Sequence, residues 1–303
     1  MYLRFIFTLG LVLISTLAWT KDYSHLHGKV HQPDRLLLPT SIQKYGNNYF
    51  IVDCYNNRVI YSERLDAPIR EWNRLGEKIP MSWPHSIASD GHFFLIDDTY
   101  KNRLLVFVKK NDVFILYKTF DKIAKSPHRV IYDKDTDAFY LLGAWSQTIT
   151  KLSRKNGDIE IEYTKKMDFL KGSYSRSIHI IDGFMYFISG PKNINVVNYT
   201  DDSYELVSSY KVPDGFESMN DIVKVGDVFY LTATNRKIIK CNSLNDLSTC
   251  EDVYVKLGIT GNPYFFSYFD ERFYLTEIDS GDGIIKFDHD KSGLKNPAYF
   301  HQP

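Results

Sequence analysis

The sequence has no net charge, and it contains little cysteine, glycine or proline. Its 37 basic side chains balance 37 acidic ones, so no long-range attraction to nucleic acid or to an anionic membrane is expected. Three cysteines occur without a C-x-x-C pair, which argues against a zinc finger. The G-x-S-x-G and H-E-x-x-H motifs are also missing from the sequence. Two familiar signatures of hydrolases are therefore absent.

Long hydrophobic runs are missing too, except for one at the N-terminus. Arg4 is followed by an apolar run over residues 5–17 and then by small and polar residues. These are the parts of a cleaved secretory signal peptide, and the run is shorter than the roughly 20 residues that span a bilayer. We therefore expect residues 1–20 to be removed, leaving residues 21–303 secreted or periplasmic with no membrane span. An uncleaved membrane anchor is the alternative.

An exported protein reaches an oxidising compartment, where cysteines can form disulfides. Cys241 and Cys250 flank a short polar segment that is expected to form a turn between strands, so a disulfide between them is plausible. Cys54 directly follows an apolar run, which favours a half-buried free thiol.

Aromatic residues are abundant and recur in a pattern. There are 22 Tyr, 20 Phe and 4 Trp, or 15% of the chain, which favours sheet over helix. A short motif ending in an apolar residue occurs six times, at intervals of about 45 residues, as repeat proteins show. The copies are residues 39–42, 84–87, 127–130, 175–178, 219–222 and 262–265.

Each motif copy is followed by an aromatic-rich apolar run and then by a β-branched run, with turn residues between them. Most copies also offer a fourth strand, and four antiparallel strands per repeat make one propeller blade. We predict an all-β fold, a six-bladed β-propeller with four-stranded antiparallel blades that begin near residues 39, 84, 127, 175, 219 and 262. Little sequence follows the last third strand, so residues 21–38, and 35–38 in particular, are expected to complete the last blade as a closing strand.

The first two blades share a more specific pattern, in which an Asp near the end of the second strand precedes an Asn-Arg pair. The residues are Asp53, Asn57 and Arg58 in blade one and Asp97, Asn102 and Arg103 in blade two. This pattern resembles NHL repeats, and the resemblance implies a six-bladed NHL-type propeller. We interpret the carboxylates as acceptors for backbone N–H groups of the following turn, and the asparagines as turn residues with positive φ.

The second residue of each motif copy stands at the start of an innermost strand, so the six copies are expected to surround the mouth of the central channel. The ring contains Thr40, His85, His128, Arg176, Asn220 and, in the last blade, Asn262 or Pro263. The steps Pro84-His85-Ser86 and Pro127-His128 resemble the zinc-binding Pro-His steps in the propeller of peptidyl-hydroxyglycine amidating lyases. This resemblance implies that His85 and His128 bind a metal, although Asn220 stands where a third histidine would be needed.

Two functions are compatible with this ring. The first is an exported, non-enzymatic propeller that binds a peptide, glycan or protein partner at its channel mouth or loop face, because the ring lacks a nucleophile, a carboxylate dyad and a complete metal set. The second is a metal-assisted lyase or hydrolase that uses His85 and His128, with Arg176 near a substrate carboxylate. The metal would be zinc or calcium. Residues 279–283 resemble a calcium loop in composition but lack EF-hand spacing.

Overall fold

Six four-stranded sheets follow one another along the chain. The computed structural model describes residues 34–190, 193–212, 215–216, 218–246, 248, 250–278 and 282–301. Within each sheet the strands pair in sequence order, and all pairs are antiparallel. Each inner strand contacts those of its two neighbours, and the first contacts the last. The predicted six-bladed β-propeller is therefore confirmed, while the predicted signal peptide and residues 21–33 lie outside the described residues.

The first three blades contain strands β1 to β12. Their bounds are β1 Pro39–Tyr45, β2 Asn48–Asp53, β3 Arg58–Ser62, β4 Asn73–Arg74, β5 Pro84–Ser89, β6 Phe93–Asp98, β7 Arg103–Lys110, β8 Val113–Asp121, β9 Pro127–Asp133, β10 Ala138–Gly143, β11 Thr148–Lys155 and β12 Asp158–Lys166. Short 3-10 helices span Ile69–Glu71 and Thr99–Lys101, and a third at Asp168–Leu170 precedes blade four.

The last three blades contain strands β13 to β24. Their bounds are β13 Tyr174–Ile181, β14 Phe184–Gly190, β15 Asn193–Asn198, β16 Glu205–Lys211, β17 Met219–Val225, β18 Val228–Ala233, β19 Lys237–Cys241, β20 Glu251–Asp252, β21 Asn262–Phe269, β22 Arg272–Ile278, β23 Ile284–Asp290 and β24 Gly293–His301. Among the described residues, no helix is long and apolar enough to cross a membrane.

The hydrophobic core is divided among the interfaces between blades. Strands such as β6 and β10 are buried along their whole length, as expected for uninterrupted apolar runs with a blade on each side. Each of the six interfaces has its own buried cluster. At the interface between the last and first blades, Phe269 and Tyr274 pack with Ile42 and Ile51.

The predicted closing strand is a point where the structure differs from the expectation. The fourth strand of the last blade is β24, which contains Pro297, and residues 34–38 form no strand. Instead, Leu36 packs into the cluster between the last and first blades, and the Leu38 amide donates to Asp282 at 2.8 Å. β24 tolerates its proline because an outermost strand needs no hydrogen bonds on its outer edge.

The Asp and Arg of the pattern form an ion pair at the end of the second strand. Asp53 accepts the Leu37 amide and the Arg58 Nε, each at 2.7 Å. In blade two the equivalent residue is Asp98, because Pro84 pairs with Asp98 as Pro39 pairs with Asp53. The alignment of Asp53 with Asp97 is therefore wrong by one residue.

The asparagines of the pattern link neighbouring blades. Asn57 and Asn102 have φ values of 52° and 55°, which confirms the predicted positive φ. The Asn57 side chain accepts the Trp83 amide at 2.9 Å, and Asn102 accepts the Ser126 amide at 2.8 Å. Each turn therefore holds the segment that leads into the next inner strand.

Every inner strand carries a β-bulge near its start, where it has one residue more than the strand beside it. The extra residues are Thr40, His85, His128, Arg176, Asn220 and Tyr264. In blade six, Phe266 pairs with Leu275 as Ile42 pairs with Ile51. The sixth ring position is therefore Tyr264, and the expectation of Asn262 or Pro263 is wrong. A bulge changes the direction of a side chain, and each of the six inner strands has one at the equivalent position.

Candidate functional site

The six bulge residues form a ring, but they differ in accessibility. Thr40, His128, Asn220 and Tyr264 are buried, with at most 2% of their surface exposed. His85 and Arg176 are half-buried. Of the five ring residues predicted from the sequence, these two remain accessible to a ligand at the channel mouth.

The buried members of the ring hold the blades together. His128 Nδ1 donates to the Arg176 carbonyl and Asn220 Nδ2 to the Pro263 carbonyl, each at 2.8 Å. The remaining interfaces are bridged in the same layer by three further pairs: Thr40 to the Pro84 carbonyl, Thr99 to the Pro127 carbonyl and Thr276 to the Thr40 carbonyl. Arg176 Nη1 donates to Asn220 Oδ1 at 3.1 Å and completes the circle. We call this layer the upper ring.

The mouth has a floor, because side chains from opposite blades meet across the axis. His128 Nε2 of blade three lies 3.4 Å from the Tyr264 hydroxyl of blade six. The His85 and His128 rings are 4.1 Å apart, centroid to centroid. The mouth is therefore a cup whose floor consists of His85, His128 and Tyr264.

Both floor histidines are neutral near pH 7. Burial lowers the pKa of His85 to about 4, although its hydrogen bond to the Trp83 carbonyl acts in the opposite direction. Burial, with the charges of His85 and Arg176, holds the pKa of His128 well below its usual value. Because Nδ1 of each ring faces a carbonyl at 2.8 Å, Nδ1 carries the proton and Nε2 keeps its lone pair.

A buried carboxylate lies beneath His85. Asp97 accepts the amides of His85 and Ser86 and the Ser86 hydroxyl. Its Oδ2 also lies 2.8 Å from the Thr99 hydroxyl, whose single proton is shared between Asp97 and the Pro127 carbonyl. Burial raises the pKa of Asp97 to about 7, although these donors favour the charged form. The Thr99 hydroxyl also contacts His85 Nδ1 at 2.8 Å. The amides that Asp97 accepts therefore belong to the inner strand and not, as predicted, to the turn that follows, from which only the Thr99 hydroxyl contacts it among the described residues.

Arg176 is the accessible charged group of the mouth. Its partner among the described residues is the Asn220 side chain, and no described carboxylate lies within ion-pair distance of it. None of its nitrogens is both buried and unpartnered, so the remaining N–H groups face solvent. By contrast, Arg58 and Arg103 both pair with carboxylates at 2.7 Å.

Aromatic side chains surround the mouth. Tyr55 stacks on Trp83 at 5.1 Å, and Trp83 contacts Tyr100 at 5.6 Å. In a second group, Trp145 lies 4.9 Å from Tyr174, whose ring also lies 5.6 Å from the Arg176 guanidinium. Tyr100 and Trp145 are 64% and 57% exposed. We call these five aromatic residues the aromatic rim.

The donor set differs from the three-imidazole zinc site that the resemblance implies. The two Nε2 atoms keep lone pairs, but that of His128 lies 3.4 Å from the Tyr264 hydroxyl. Asn220 at the third position is already engaged with Arg176 and the Pro263 carbonyl. No cluster of three or more His, Cys, Asp or Glu side chains suited to a metal occurs within the described part of the chain. The Arg176 charge also disfavours a cation nearby. The described side chains therefore supply two imidazoles but not the complete three-imidazole set.

The calcium-like segment at residues 279–283 lies mostly outside the described residues, which resume at Asp282. Asp282 Oδ1 accepts the Leu38 amide at 2.8 Å.

A second layer of contacts lies one residue further along each inner strand. Its members are Ser41, Ser86, Arg129, Ser177, Asp221 and Phe265. Ser177 donates to Asp221 at 2.6 Å, and Ser86 accepts the Val130 amide at 2.8 Å. Arg129 lies 4.3 Å from the centre of the Phe265 ring on the opposite blade. We call this layer the lower ring.

The cysteines take the following positions. Cys241 and Cys250 form a disulfide in the structure. Cys54 is a free thiol that is fully buried, and burial raises its pKa well above the usual value. A protonated, enclosed thiol is unreactive.

Sequence reasoning missed Tyr264, Arg129 and the aromatic rim. Aligning the prolines would have found Tyr264, because Pro263 precedes it as Pro39, Pro84 and Pro127 precede their ring residues. Arg129 was visible as the one arginine at its motif position. The rim residues come from separate loops, and no local pattern connects them.

Comparisons with known proteins show the fold alone. No family model matches the chain, and no curated protein does. A Kuenenia stuttgartiensis hydrazine synthase structure is 16% identical with a TM-score of 0.61, covering 88% of this chain and 80% of that one. A putative 6-phosphogluconolactonase from Bacteroides fragilis is 13% identical with a TM-score of 0.62, covering 86% and 82%. Saccharomyces cerevisiae Sqt1 is 10% identical with a TM-score of 0.60, covering 88% and 86%.

Proposed function

We propose that this propeller is a binding protein that captures an acidic glycan in the cup at its channel mouth. Among the peptide, glycan and protein partners expected from the sequence, a saccharide with a carboxylate agrees best with the groups around the cup. The observation that carries the proposal is the accessible Arg176 guanidinium, which has no described carboxylate partner.

Arg176 supplies the charge recognition. A guanidinium presents its N–H donors in a plane that matches both oxygens of a carboxylate. The neighbouring floor adds neutral groups, because the pKa of His85 is lowered to about 4 by burial. His85 Nε2 can therefore accept a hydrogen bond from a ligand hydroxyl while Arg176 binds the ligand carboxylate.

The aromatic rim supplies the apolar contact. Trp145 and Tyr174 form one pair of the aromatic rim, and Trp83 and Tyr100 form another. Flat aromatic faces with polar edges suit the C–H faces and hydroxyls of a sugar ring. A chain of several sugar units could therefore contact both pairs of the rim.

The test compares three probes by calorimetry on the mature protein. A galacturonic acid trimer should bind, while a neutral galactose trimer should bind more weakly because it lacks the carboxylate. Arg176→Gln should reduce affinity for the acidic trimer by about 10- to 100-fold. This range is the loss in affinity that corresponds to the free energy of one hydrogen bond to a charged group. Arg70→Gln is the matched control, since Arg70 lies in the short helix after β3, away from the inner strands.

Two results would contradict this proposal. One is equal affinity for the acidic and neutral trimers. The other is binding of the third probe, a tripeptide with a free C-terminal carboxylate, in place of the acidic trimer, which would assign the cup to peptides.

A metal-assisted lyase or hydrolase is the second candidate. The Nε2 lone pairs of His85 and His128 favour it, because a carbonyl on Nδ1 is how many metal-bound histidines are oriented. Metal analysis of the purified protein distinguishes the two functions. Stoichiometric zinc that is lost in a His85→Ala/His128→Ala double variant would favour the enzyme.

The proposed binding takes place outside the cytoplasm, in the periplasm or the medium. The signal-like residues 1–20 and the Cys241–Cys250 disulfide support this location. Mass spectrometry of the mature protein should find an N-terminus close to residue 21, whereas an intact Met1 would contradict export with cleavage.

A further inference from the structure

A second guanidinium lies in the lower ring, beneath the floor of the cup. Arg129 is 3% exposed, and its Nε and Nη1 have no hydrogen-bond acceptor among the described residues. One face of the group is covered by the Phe265 ring at 4.3 Å. Arginine stays protonated in proteins, so this is a buried positive charge whose N–H groups need an acceptor.

His179 does not provide that acceptor. Its Nε2 lies 3.3 Å from Arg129 Nη2 and 2.7 Å from Asp221 Oδ1. The nearby charges of His179 and Arg129 hold the pKa of Asp221 below its usual range, although burial acts in the opposite direction. Asp221 is therefore an ionised acceptor, and Nε2 must carry the proton that it receives. A nitrogen that donates to Asp221 has no lone pair for Arg129.

Asp221 interacts with Arg129 through its charge, but no hydrogen bond or ion pair joins the two side chains among the described contacts. Its Oδ1 also accepts the Ser177 hydroxyl at 2.6 Å, and its Oδ2 accepts the Phe266 amide at 2.8 Å. The ion pair described for Asp221 is the one with His179. Three of its roughly four acceptor positions are thus occupied by other donors.

The lower ring contains one further buried polar group without a described partner. Ser41, the blade-one member of the lower ring, has a buried hydroxyl without a partner among the described residues. A water molecule would accept an Arg129 N–H group but would leave its positive charge uncompensated, whereas a small anion supplies both the acceptor and the opposite charge. The floor residues His128 and Tyr264 are buried, so this position is separate from the cup.

We propose that Arg129 binds a small monovalent anion such as chloride inside the channel, through its Nε and Nη1 groups and with the Ser41 hydroxyl in the same layer. The anion neutralises the buried guanidinium and thereby stabilises the inner strands that pack around Arg129. This site is independent of the glycan proposed for the cup.

The test uses bromide as the probe. Crystals of the mature protein grown in sodium bromide should give an anomalous peak beside Arg129 Nε and Nη1. In solution, replacing methanesulfonate by chloride at constant ionic strength should raise Tm by roughly 3–8 °C once chloride is in large excess over its dissociation constant. Arg129→Gln should abolish this rise, and Arg176→Gln, the matched control at the mouth, should retain it.

The outcomes are distinguishable. A bromide peak at Arg129 supports the site even if Arg129→Gln fails to fold. Electron density for water alone beside Arg129, with equal Tm in both salts, would overturn it. A chloride effect that disappears in Arg176→Gln but persists in Arg129→Gln would also overturn it, because the anion would then bind in the cup.

Discussion

Replacing His85 by asparagine should make the protein less sensitive to acid. Burial lowers the pKa of His85 from 6.5 to about 4 in the folded state. Because the folded protein resists protonation of this ring, its neutral form contributes stability that is present above pH 6.5 and is lost as the pH falls through about 4. Asn220, at the same bulge position in blade five, donates its Nδ2 to a carbonyl, so an asparagine in place of His85 can keep the hydrogen bond to the Trp83 carbonyl.

The separation of about 2.5 pH units corresponds to about 3 kcal/mol of unfolding free energy at most. His85 is half-buried, and partial exposure to solvent reduces the expected effect to about 1–3 kcal/mol. Asp97 changes the unfolding free energy in the opposite direction as the pH falls, because burial raises its pKa to about 7. Its contribution is the same in wild type and variant, so it cancels when the two are compared.

The assay is urea denaturation at about pH 7.5 and about pH 4, with ΔG of unfolding extrapolated to water. Between about pH 7.5 and about pH 4, the unfolding free energy of the wild type should fall by about 1–3 kcal/mol more than that of His85→Asn. His92→Asn, in an exposed turn, should lose as much as wild type. If His85→Asn and wild type lose equal free energy, the assignment of a buried neutral imidazole at the floor is wrong.

Three further changes test the scaffold. Asp98→Ala should cost about 3–5 kcal/mol of unfolding free energy, measured by urea denaturation, because it leaves Arg103 without its carboxylate and the Ser82 amide without its acceptor. A cost below about 1 kcal/mol would contradict a stabilising role of this ion pair. Cys241→Ser/Cys250→Ser should lower stability by about 2–3 kcal/mol, and a Tm equal to that of reduced wild type would identify the disulfide as the cause. Deleting the chain from residue 293 onward exposes the last blade and should abolish cooperative unfolding by circular dichroism, whereas an unchanged transition would show that β24 is dispensable.

The repeat count and the order of strands were accessible from the sequence, because each blade needs apolar runs that bury two faces. Residue-level register was not accessible. Alignment by residue character placed Phe265 where Phe266 belongs and Asp97 where Asp98 belongs. Alignment cannot detect such a shift when both neighbouring residues have the same character.

The chemistry of the site was predictable only in part. His85 and Arg176 were identified at the mouth, but His128 and Asn220 use their side chains to join blades. That difference depends on what lies across the axis, such as Tyr264 opposite His128. Closure of the ring was also inaccessible, since a proline near the C-terminus concealed the strand that completes the last blade.

The repeated bulge has a consequence for how such a protein can change. A bulged residue has no cross-strand partner in the ladder, so its replacement leaves strand register intact. In this chain the six equivalent slots already hold five different residue types, with histidine used twice. New specificities could therefore be engineered first at an accessible slot such as that of His85, while the buried Thr40, His128 and Asn220 keep neighbouring blades joined.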